Sequence, residues 1–175
     1  MEQRHTICFT RIESPVGLLT LAASDRALCG LHFHGHIPAP AKGEVWVEDR
    51  ERLRMYEEAL MKYFRGELKE FSFPLDLRGT PFQIRCWEAL RKIPYGQTCS
   101  YADIAREICS PRAFRAVGQA NHNNPIAIVV PCHRVVGSGG SLTGYGGGLE
   151  IKEQLLRLER NTAAQQLQFP MSAAV

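Results

Sequence analysis

The sequence predicts an α+β protein in which a small N-terminal β-sheet with one helix packs on a mainly helical C-terminal domain that contains a helix-turn-helix. Two observations support this fold class. Short apolar and β-branched runs alternate with turn residues over positions 6–35, which is typical of a hairpin or meander. Helix-start signals recur at close intervals over positions 80–120, which is typical of short helices joined by tight turns. A length of 175 residues and an apolar content of 45% suffice for one ordinary domain or two small ones.

The N-terminal part is expected to contain three strands and one helix. Ser14-Pro-Val-Gly17 supplies the turn between the first two strands, and Gly66 supplies the residue that ends the helix. A loop is expected over residues 36–47. The expected strands cover residues 6–12, 18–23 and 27–33, and the expected helix covers residues 48–64.

The C-terminal part begins with a capping box, in which Thr80 precedes a proline and is followed three residues later by Gln83. Ser100 and Asp103 repeat this helix-start signal, and Ser110-Pro111 is expected to begin the next helix. The expected helices cover residues 80–93, 100–108, 111–120 and 149–160, and residues 161–175 are expected to form a poorly ordered tail.

The charge distribution and the cysteine content indicate the kind of partner and the cellular compartment that the protein is expected to have. The net charge is −1 over residues 1–75 and +4 over residues 76–160, so the second half is the better candidate for contact with a polyanion. The sequence has no run of 18 apolar residues, and no membrane span is expected. The six cysteines show no CxxC pairing. This pattern favours a reducing compartment, the cytoplasm or, in a eukaryote, the nucleus.

The segment Ile126–Val136 is the most informative part of the sequence. Its apolar first half is expected to form a buried strand that holds Cys132 at its end, beside His133 and Arg134. Because cysteine attacks as the thiolate, a neighbouring base or cation is expected to lower the pKa of this thiol toward neutrality. A cysteine at a strand end is more often a small buried apolar residue, but the glycine-rich loop that follows, residues 137–148, favours a chemical role.

The last helix contains a carboxylate that is expected to face the core. Glu159 lies four residues after Leu155 on the apolar stripe of this helix. A buried carboxylate is unfavourable unless it is paired. His133, whose tautomer it would fix, and Arg134 are both candidate partners, and the spacing does not decide between them.

The helix expected over residues 111–120 has a basic face. Arg112 and Arg115 lie on it, and small side chains such as Ala116 and Gly118 leave the helix slim. A slim helix with one long cation can enter a nucleic-acid groove closely and push Arg115 into the base stack. A solvated basic face is the alternative interpretation.

Histidines alternate at positions 32, 34 and 36, which would place them on one side of a strand. Neutral imidazoles suit zinc, but no CxxC or HxxxH pattern accompanies them. Structural or exposed histidines are therefore expected here, with no metal and no other cofactor.

The motifs of the second half resemble those of the alkylguanine-DNA alkyltransferases, also called methylated-DNA–protein-cysteine methyltransferases. The resemblance covers nearly the whole chain and is strongest from Thr80 to Glu159. Its motifs are the Tyr101 helix, Arg115-Ala-Val-Gly118, Asn124-Pro125, Pro131-Cys-His-Arg-Val135 and Gly144-Tyr-Gly-Gly147.

The resemblance implies catalytic roles for five residues. Cys132 corresponds to the alkyl acceptor, and His133 corresponds to the base that deprotonates it through a water. Glu159 corresponds to the carboxylate that orients this histidine, and Asn124 to the amide that braces the active-site turn. Tyr101 corresponds to the residue that donates to the guanine and helps to rotate the nucleotide out.

The resemblance also implies two binding surfaces. Arg115 corresponds to the side chain that replaces the extruded base in the stack. The implied DNA-contacting residues are Tyr101, Arg112, Arg115, Ala116 and Gly118. The implied substrate pocket contains Pro125, Val135, Tyr145 and Gly146. Where some members carry zinc ligands, only His5 and Cys29 fall at comparable places, so no metal is expected.

The implied activity is DNA repair. The alkyl group of O6-alkylguanine, and of O4-alkylthymine as a second substrate, would move irreversibly to Cys132 after base flipping, so that each molecule acts once. The implied partner is double-stranded DNA, read in the minor groove by a protein that is monomeric in solution and could cluster on DNA. Residues 1–79 would form a structural domain with a connector, and residues 80–160 the DNA-binding and alkyl-acceptor domain.

Two other function classes stay open on the residues alone. A Cys-His hydrolase with Glu159 as its third member would turn over repeatedly. A helix-turn-helix regulator with Cys132 as a sensor would need an effector surface or a dimer interface.

Overall fold

A computed structural model describes residues 5–168 of the protein and confirms the α+β class. A four-stranded sheet with the order β3-β2-β1-β4 forms the N-terminal half, and a two-stranded parallel sheet of β5 and β6 lies in the helical half. The strands are β1 (His5–Ile12), β2 (Leu19–Ala23), β3 (Leu28–Phe33), β4 (Glu44–Glu48), β5 (Cys99–Ser100) and β6 (Val135–Val136). The helices are α1 (Arg50–Phe64), α2 (Pro81–Arg91), α3 (Tyr101–Glu107), α4 (Phe114–His122) and α5 (Leu149–Gln168), with a 3-10 helix at Cys132–Arg134.

Strand β4 overlaps the end of the segment that was expected to be a loop and includes Glu48, which was expected to begin a helix. It pairs parallel to β1 at the edge of the sheet. Val45 and Val47 are 41% and 47% exposed, so the strand has no buried apolar face that would produce a strand pattern in the sequence.

Helix α1 begins at Arg50, two residues later than expected, with Asp49 as its capping residue. The side chain of Asp49 accepts a hydrogen bond from the backbone N–H of Arg52. Leu53 and Leu60 are fully buried, and the helix packs across β1 and β2. This contact covers one face of the sheet and supplies the core of the N-terminal half.

The capping boxes at Thr80 and Ser100 are both present, so the starts of α2 and α3 are confirmed. Helix α4 starts later than expected, at Phe114, without a side-chain cap at Ala113. The chain first makes a turn at Ser110, whose carbonyl accepts from the N–H of Ala113, and this turn joins α3 to α4.

The expectation of a strand over residues 126–130 was wrong, although every one of these residues is buried. Only Ile126 makes a strand-like bridge, to Leu31 of β3, and Ile128 has a positive φ of 68°. The segment instead folds into tight turns that lead into the 3-10 helix, so Cys132 occupies a helical turn and not a strand end. Burial without neighbouring strands allows this backbone path, which the apolar run alone could not distinguish from a strand.

Helix α5 continues to Gln168, beyond its expected end at Arg160. The expectation of a poorly ordered tail was therefore wrong for residues 161–168, which are helical. Thr162 packs close to Gly66, and Ala163 packs close to Gly96. Both contacts pack the end of α5 against neighbouring loops of the fold. Residues 169–175 lie outside the described residues. Within residues 5–168, no helix is both long and apolar enough to cross a membrane.

Candidate active site

Cys132 is at the first position of the 3-10 helix and is only 6% exposed. Burial raises the pKa of its thiol above the ordinary value of 9.0, and this effect outweighs the hydrogen bond from Asn124 and the charge of Lys152. The expectation of a lowered pKa was therefore wrong for the free protein. The Cys132 thiol is therefore protonated at neutral pH in the free protein, and a base must remove its proton before it can react.

Asn124 fixes the turn that carries the cysteine. Its amide nitrogen donates to the sulfur of Cys132 at 3.0 Å and to the carbonyl of Val130 at 2.8 Å. Its amide oxygen accepts from the backbone N–H of Ile126 at 3.0 Å. One side chain thus ties the sulfur to both ends of the buried run, because a primary amide both donates and accepts.

Glu159 is fully buried in α5 and contacts both of its candidate partners. One carboxylate oxygen lies 2.8 Å from His133 Nε2, and Arg134 donates to both oxygens at 2.9 Å. Tyr63 donates at 2.8 Å, and the backbone N–H of Gly96 donates at 3.0 Å. Glu159 therefore pairs with both His133 and Arg134, the two partners between which the sequence could not decide.

The protonation states at this pair follow from these contacts. Burial opposes ionisation of Glu159, but the hydrogen bonds and charges of His133 and Arg134 lower its pKa from 4.5 to about 2. Burial lowers the pKa of His133 in spite of the carboxylate beside it, so the imidazole is neutral at pH 7. An ionised carboxylate can only accept, so Nε2 carries the proton and Nδ1 presents a lone pair.

Lys152 is a buried cation that the sequence interpretation missed. Its ammonium donates to the carbonyls of Val135 at 2.7 Å and Thr143 at 3.0 Å. It therefore joins α5 to the strand after the cysteine and to the glycine-rich loop. Its position three residues before Leu155 and seven before Glu159 is the same helical spacing that identified the glutamate, so the signal was present in the sequence.

A cavity of about 320 Å³ opens at the sulfur of Cys132. Tyr145 and Gly146 line it as expected, whereas Pro125 and Val135 are not among its lining residues. The side chain of Tyr101 is directed to the glycine-rich loop, with its hydroxyl 2.9 Å from that of Thr143. The lining residues are Leu31, His32, Phe33, His34, His36, Asn121, His122, Asn124, Ala127, Cys132, Tyr145 and Gly146.

The N-terminal half forms one wall of this cavity. Phe33 at the end of β3 packs on Tyr145, with ring centroids 5.5 Å apart, and lies close to Gly147. His32 and His36 stack edge to face at 6.1 Å, and burial together with His36 lowers the pKa of His32 to about 4. His34 and Gly35 have positive φ, so the three histidines do not share one strand face. In the part of the chain that the structure describes, no group of three His, Cys, Asp or Glu side chains could hold a metal ion.

The helix-turn-helix presents the basic face that the sequence predicts. Arg112, Arg115 and Ala116 are exposed, whereas Val117 is fully buried against the core. A Cβ added at Gly118 would make only an ordinary van der Waals contact with the ring of Tyr101, at 3.8 Å, so α4 packs close to α3 at this position. The residues that the sequence predicts to contact DNA therefore lie on α3, on α4 and in the turn between these two helices, which pack against each other.

The chain is similar to known DNA methyltransferases over most of its length. A family model described as the 6-O-methylguanine DNA methyltransferase DNA-binding domain matches residues 81–161, and one described as the ribonuclease-like domain of the same enzymes matches residues 7–77. The methylated-DNA–protein-cysteine methyltransferase of Mycolicibacterium paratuberculosis is 53% identical over 152 residues, which cover 87% of this chain and 92% of the relative. That of Mycobacterium tuberculosis is 50% identical over 157 residues, which cover 90% and 94%.

Solved structures give the same result. The crystal structure of Mycobacterium tuberculosis O6-methylguanine methyltransferase has a TM-score of 0.83 and 48% identity, and the match covers 93% of this chain and 98% of that one. The Mycobacterium tuberculosis protein called OGT, in complex with DNA, has a TM-score of 0.82 and 48% identity, with 90% and 94% covered.

Proposed function

The chain belongs to the 6-O-methylguanine DNA methyltransferase family, and from this premise we propose that it repairs DNA by moving the alkyl group of O6-alkylguanine irreversibly onto Cys132. The observation that supports this most directly is the buried Glu159–His133 pair beside a thiol that Asn124 holds at the mouth of a cavity. O4-alkylthymine is the second proposed substrate. The product is a thioether, which water does not hydrolyse, so each molecule acts once.

The proposed first step is proton removal from Cys132. Its proton passes through a water to Nδ1 of His133, because Nε2 is engaged with the ionised Glu159. The imidazolium that forms is stabilised by the carboxylate. Arg134 balances the charge of Glu159 before the transfer, so this carboxylate is not an unpaired buried charge in the resting state.

The second step is displacement at carbon. The thiolate sulfur forms a bond to the alkyl carbon, while the bond from this carbon to O6 breaks and its electron pair moves to the guanine. We propose that the hydroxyl of Tyr101 and the N–H of Gly146 donate to the base as this charge develops. Tyr101 must then exchange its present contact with Thr143 for the substrate.

The proposed partner is double-stranded DNA in its minor groove, with the damaged nucleotide extruded into the cavity. Arg112 and Arg115 are exposed on the helix-turn-helix, and small residues at Ala116 and Gly118 allow close approach to the groove. Arg115 would fill the space that the extruded base leaves in the stack. The protein is proposed to be a monomer in solution that can cluster along DNA, with residues 80–160 making the contacts.

The proposal is tested by intact-mass measurement after incubation of the full chain with a duplex that contains one O6-methylguanine. We expect stoichiometric gain of a single methyl group, located by peptide mapping on Cys132, and no gain in Cys132→Ser. The matched control is Cys86→Ser, which removes another buried cysteine and should react normally. Product in excess of protein would favour a hydrolase, and binding without transfer would favour a regulator.

A further inference from the structure

Buried polar atoms without a hydrogen-bond partner are concentrated at the Cys132 site. Among the residues with described side chains there are six such atoms, and four of them belong to Asn121, His133 and Tyr145. Native proteins pair nearly all buried polar groups, because an unmade hydrogen bond under burial is unfavourable. Groups left without partners at a cavity therefore point to a ligand that completes them.

Asn121 is the most informative of these residues. It lies in the last full turn of α4, is 8% exposed, and lines the same cavity as Cys132. Both its amide nitrogen and its amide oxygen lack a partner. Its backbone carbonyl accepts from the N–H groups of Asn123 and Asn124, so its backbone position is fixed. A ligand that satisfies this side chain must offer an acceptor and a donor side by side.

We propose that Asn121 reads the edge of the damaged base, donating to N1 and accepting from the 2-amino group of O6-alkylguanine. This inference rests on the proposed function. Alkylation at O6 leaves N1 without a hydrogen, so N1 becomes an acceptor next to the 2-amino donor. One primary amide matches this pair, as asparagine does when it reads a donor and an acceptor together on adenine.

The same chemistry makes Asn121 a specificity-determining residue. O4-alkylthymine presents two acceptors, N3 and O2, on the corresponding edge, so it can use only the amide nitrogen of Asn121. The amide oxygen would then lie buried without a donor, which favours alkylguanine over alkylthymine.

The test compares rate constants for methyl transfer from three duplexes, which contain O6-methylguanine, O6-methylhypoxanthine or O4-methylthymine. O6-methylhypoxanthine lacks only the 2-amino group. In Asn121→Leu, the ratio of the guanine rate to the hypoxanthine rate should fall about tenfold, the change expected when one hydrogen bond is lost. The matched control is Asn123→Leu, an exposed asparagine two positions away, which should keep the wild-type ratio.

Melting temperatures distinguish a role of Asn121 in base recognition from a role in the stability of the fold. Leucine has nearly the shape of asparagine and leaves no polar atom unpaired, so Asn121→Leu should melt at or above the wild-type temperature. Asn121→Ala provides a second variant with the same expected loss of discrimination.

Three outcomes would contradict either the role of Asn121 or the proposed function. An unchanged guanine-to-hypoxanthine ratio in either folded variant overturns the inference. An equal fall in the rate constant on all three duplexes, together with a lower melting temperature in both variants, also overturns the inference. The amide would then stabilise the fold and would not recognise the base. A wild-type protein that transfers methyl from none of the duplexes contradicts the proposed function itself.

Discussion

The amide nitrogen of Asn124 donates to the sulfur of Cys132 at 3.0 Å and, at the same time, to the carbonyl of Val130 at 2.8 Å. The second contact does not depend on the sulfur. The turn that carries the acceptor should therefore keep its shape when the sulfur is removed.

Cys132→Ala is accordingly expected to abolish alkyl transfer and to leave duplex binding unchanged, because the exposed arginines lie on a different element, α4. Intact mass measures the transfer, and a gel-shift titration measures the binding. Residual transfer to Cys86 or Cys99 in this variant would show that another thiol is the acceptor.

Arg115→Ala is expected to slow repair in duplex DNA far more than reaction with the free alkylguanine base. Extruding a base costs a few kcal/mol, and only the duplex reaction needs it. Rate constants on the two substrates give the comparison. The control is Arg54→Ala, an exposed arginine on α1 of the N-terminal half. Equal losses on both substrates would mean that Arg115 does not stabilise the extruded state.

Duplex affinity is expected to weaken as salt increases, because each cation that neutralises a phosphate releases counterions. Arg112→Ala should reduce the slope of log Kd against log salt by about one unit, whereas Arg54→Ala should not. Fluorescence anisotropy over a salt series measures the slope. Binding that is independent of salt would exclude the basic half as the contact surface.

The free energy of unfolding should fall as pH decreases from 7. The folded state depresses the pKa of His133 below 6.5, so protons bind preferentially to the unfolded chain and stability declines as pH falls below 6.5. The pKa of Glu159 is lowered from 4.5 to about 2 in the folded state. Its ionised form therefore contributes about 3 kcal/mol to the free energy of unfolding above pH 4.5, and this contribution is lost as pH falls from 4.5 to about 2.

Urea unfolding over a pH series measures this dependence. Glu159→Gln should be about 3–5 kcal/mol less stable at pH 7, because it leaves Arg134 buried without its counter-charge. Glu153→Gln, which removes an exposed carboxylate of the same helix, should follow the wild-type curve. A flat wild-type curve between pH 7 and 2 would contradict the assigned protonation states.

Alkylation of Cys132 is expected to lower the melting temperature. The added methyl enlarges a side chain that is 6% exposed, and overpacking typically costs about 1–3 kcal/mol. Thermal melts of free and stoichiometrically methylated protein measure the effect. An unchanged or higher melting temperature would mean that the cavity accommodates the methyl group without strain.

The sequence predicted features that depend on residues close together in the chain. The capping boxes at Thr80 and Ser100 involve residues three positions apart, so local pattern fixes them. The inward orientation of Glu159 follows from helical periodicity in the same way. The three N-terminal strands and the apolar stripe of α1 also follow from local periodicity.

Only the tertiary structure decided features that depend on contacts between distant segments. The buried run before Cys132 turns instead of extending, because a single bridge at Ile126 joins it to β3 and Asn124 holds the turn through the carbonyl of Val130. Glu159 contacts Arg134 as well as His133, because three other segments of the fold, α1, the loop after α2 and the 3-10 helix, meet at this carboxylate. Helical periodicity alone could predict only that the carboxylate faces inward. Burial, which raises the pKa of the Cys132 thiol instead of lowering it, is a property of the assembled core, and neighbouring residues in the sequence could not reveal it.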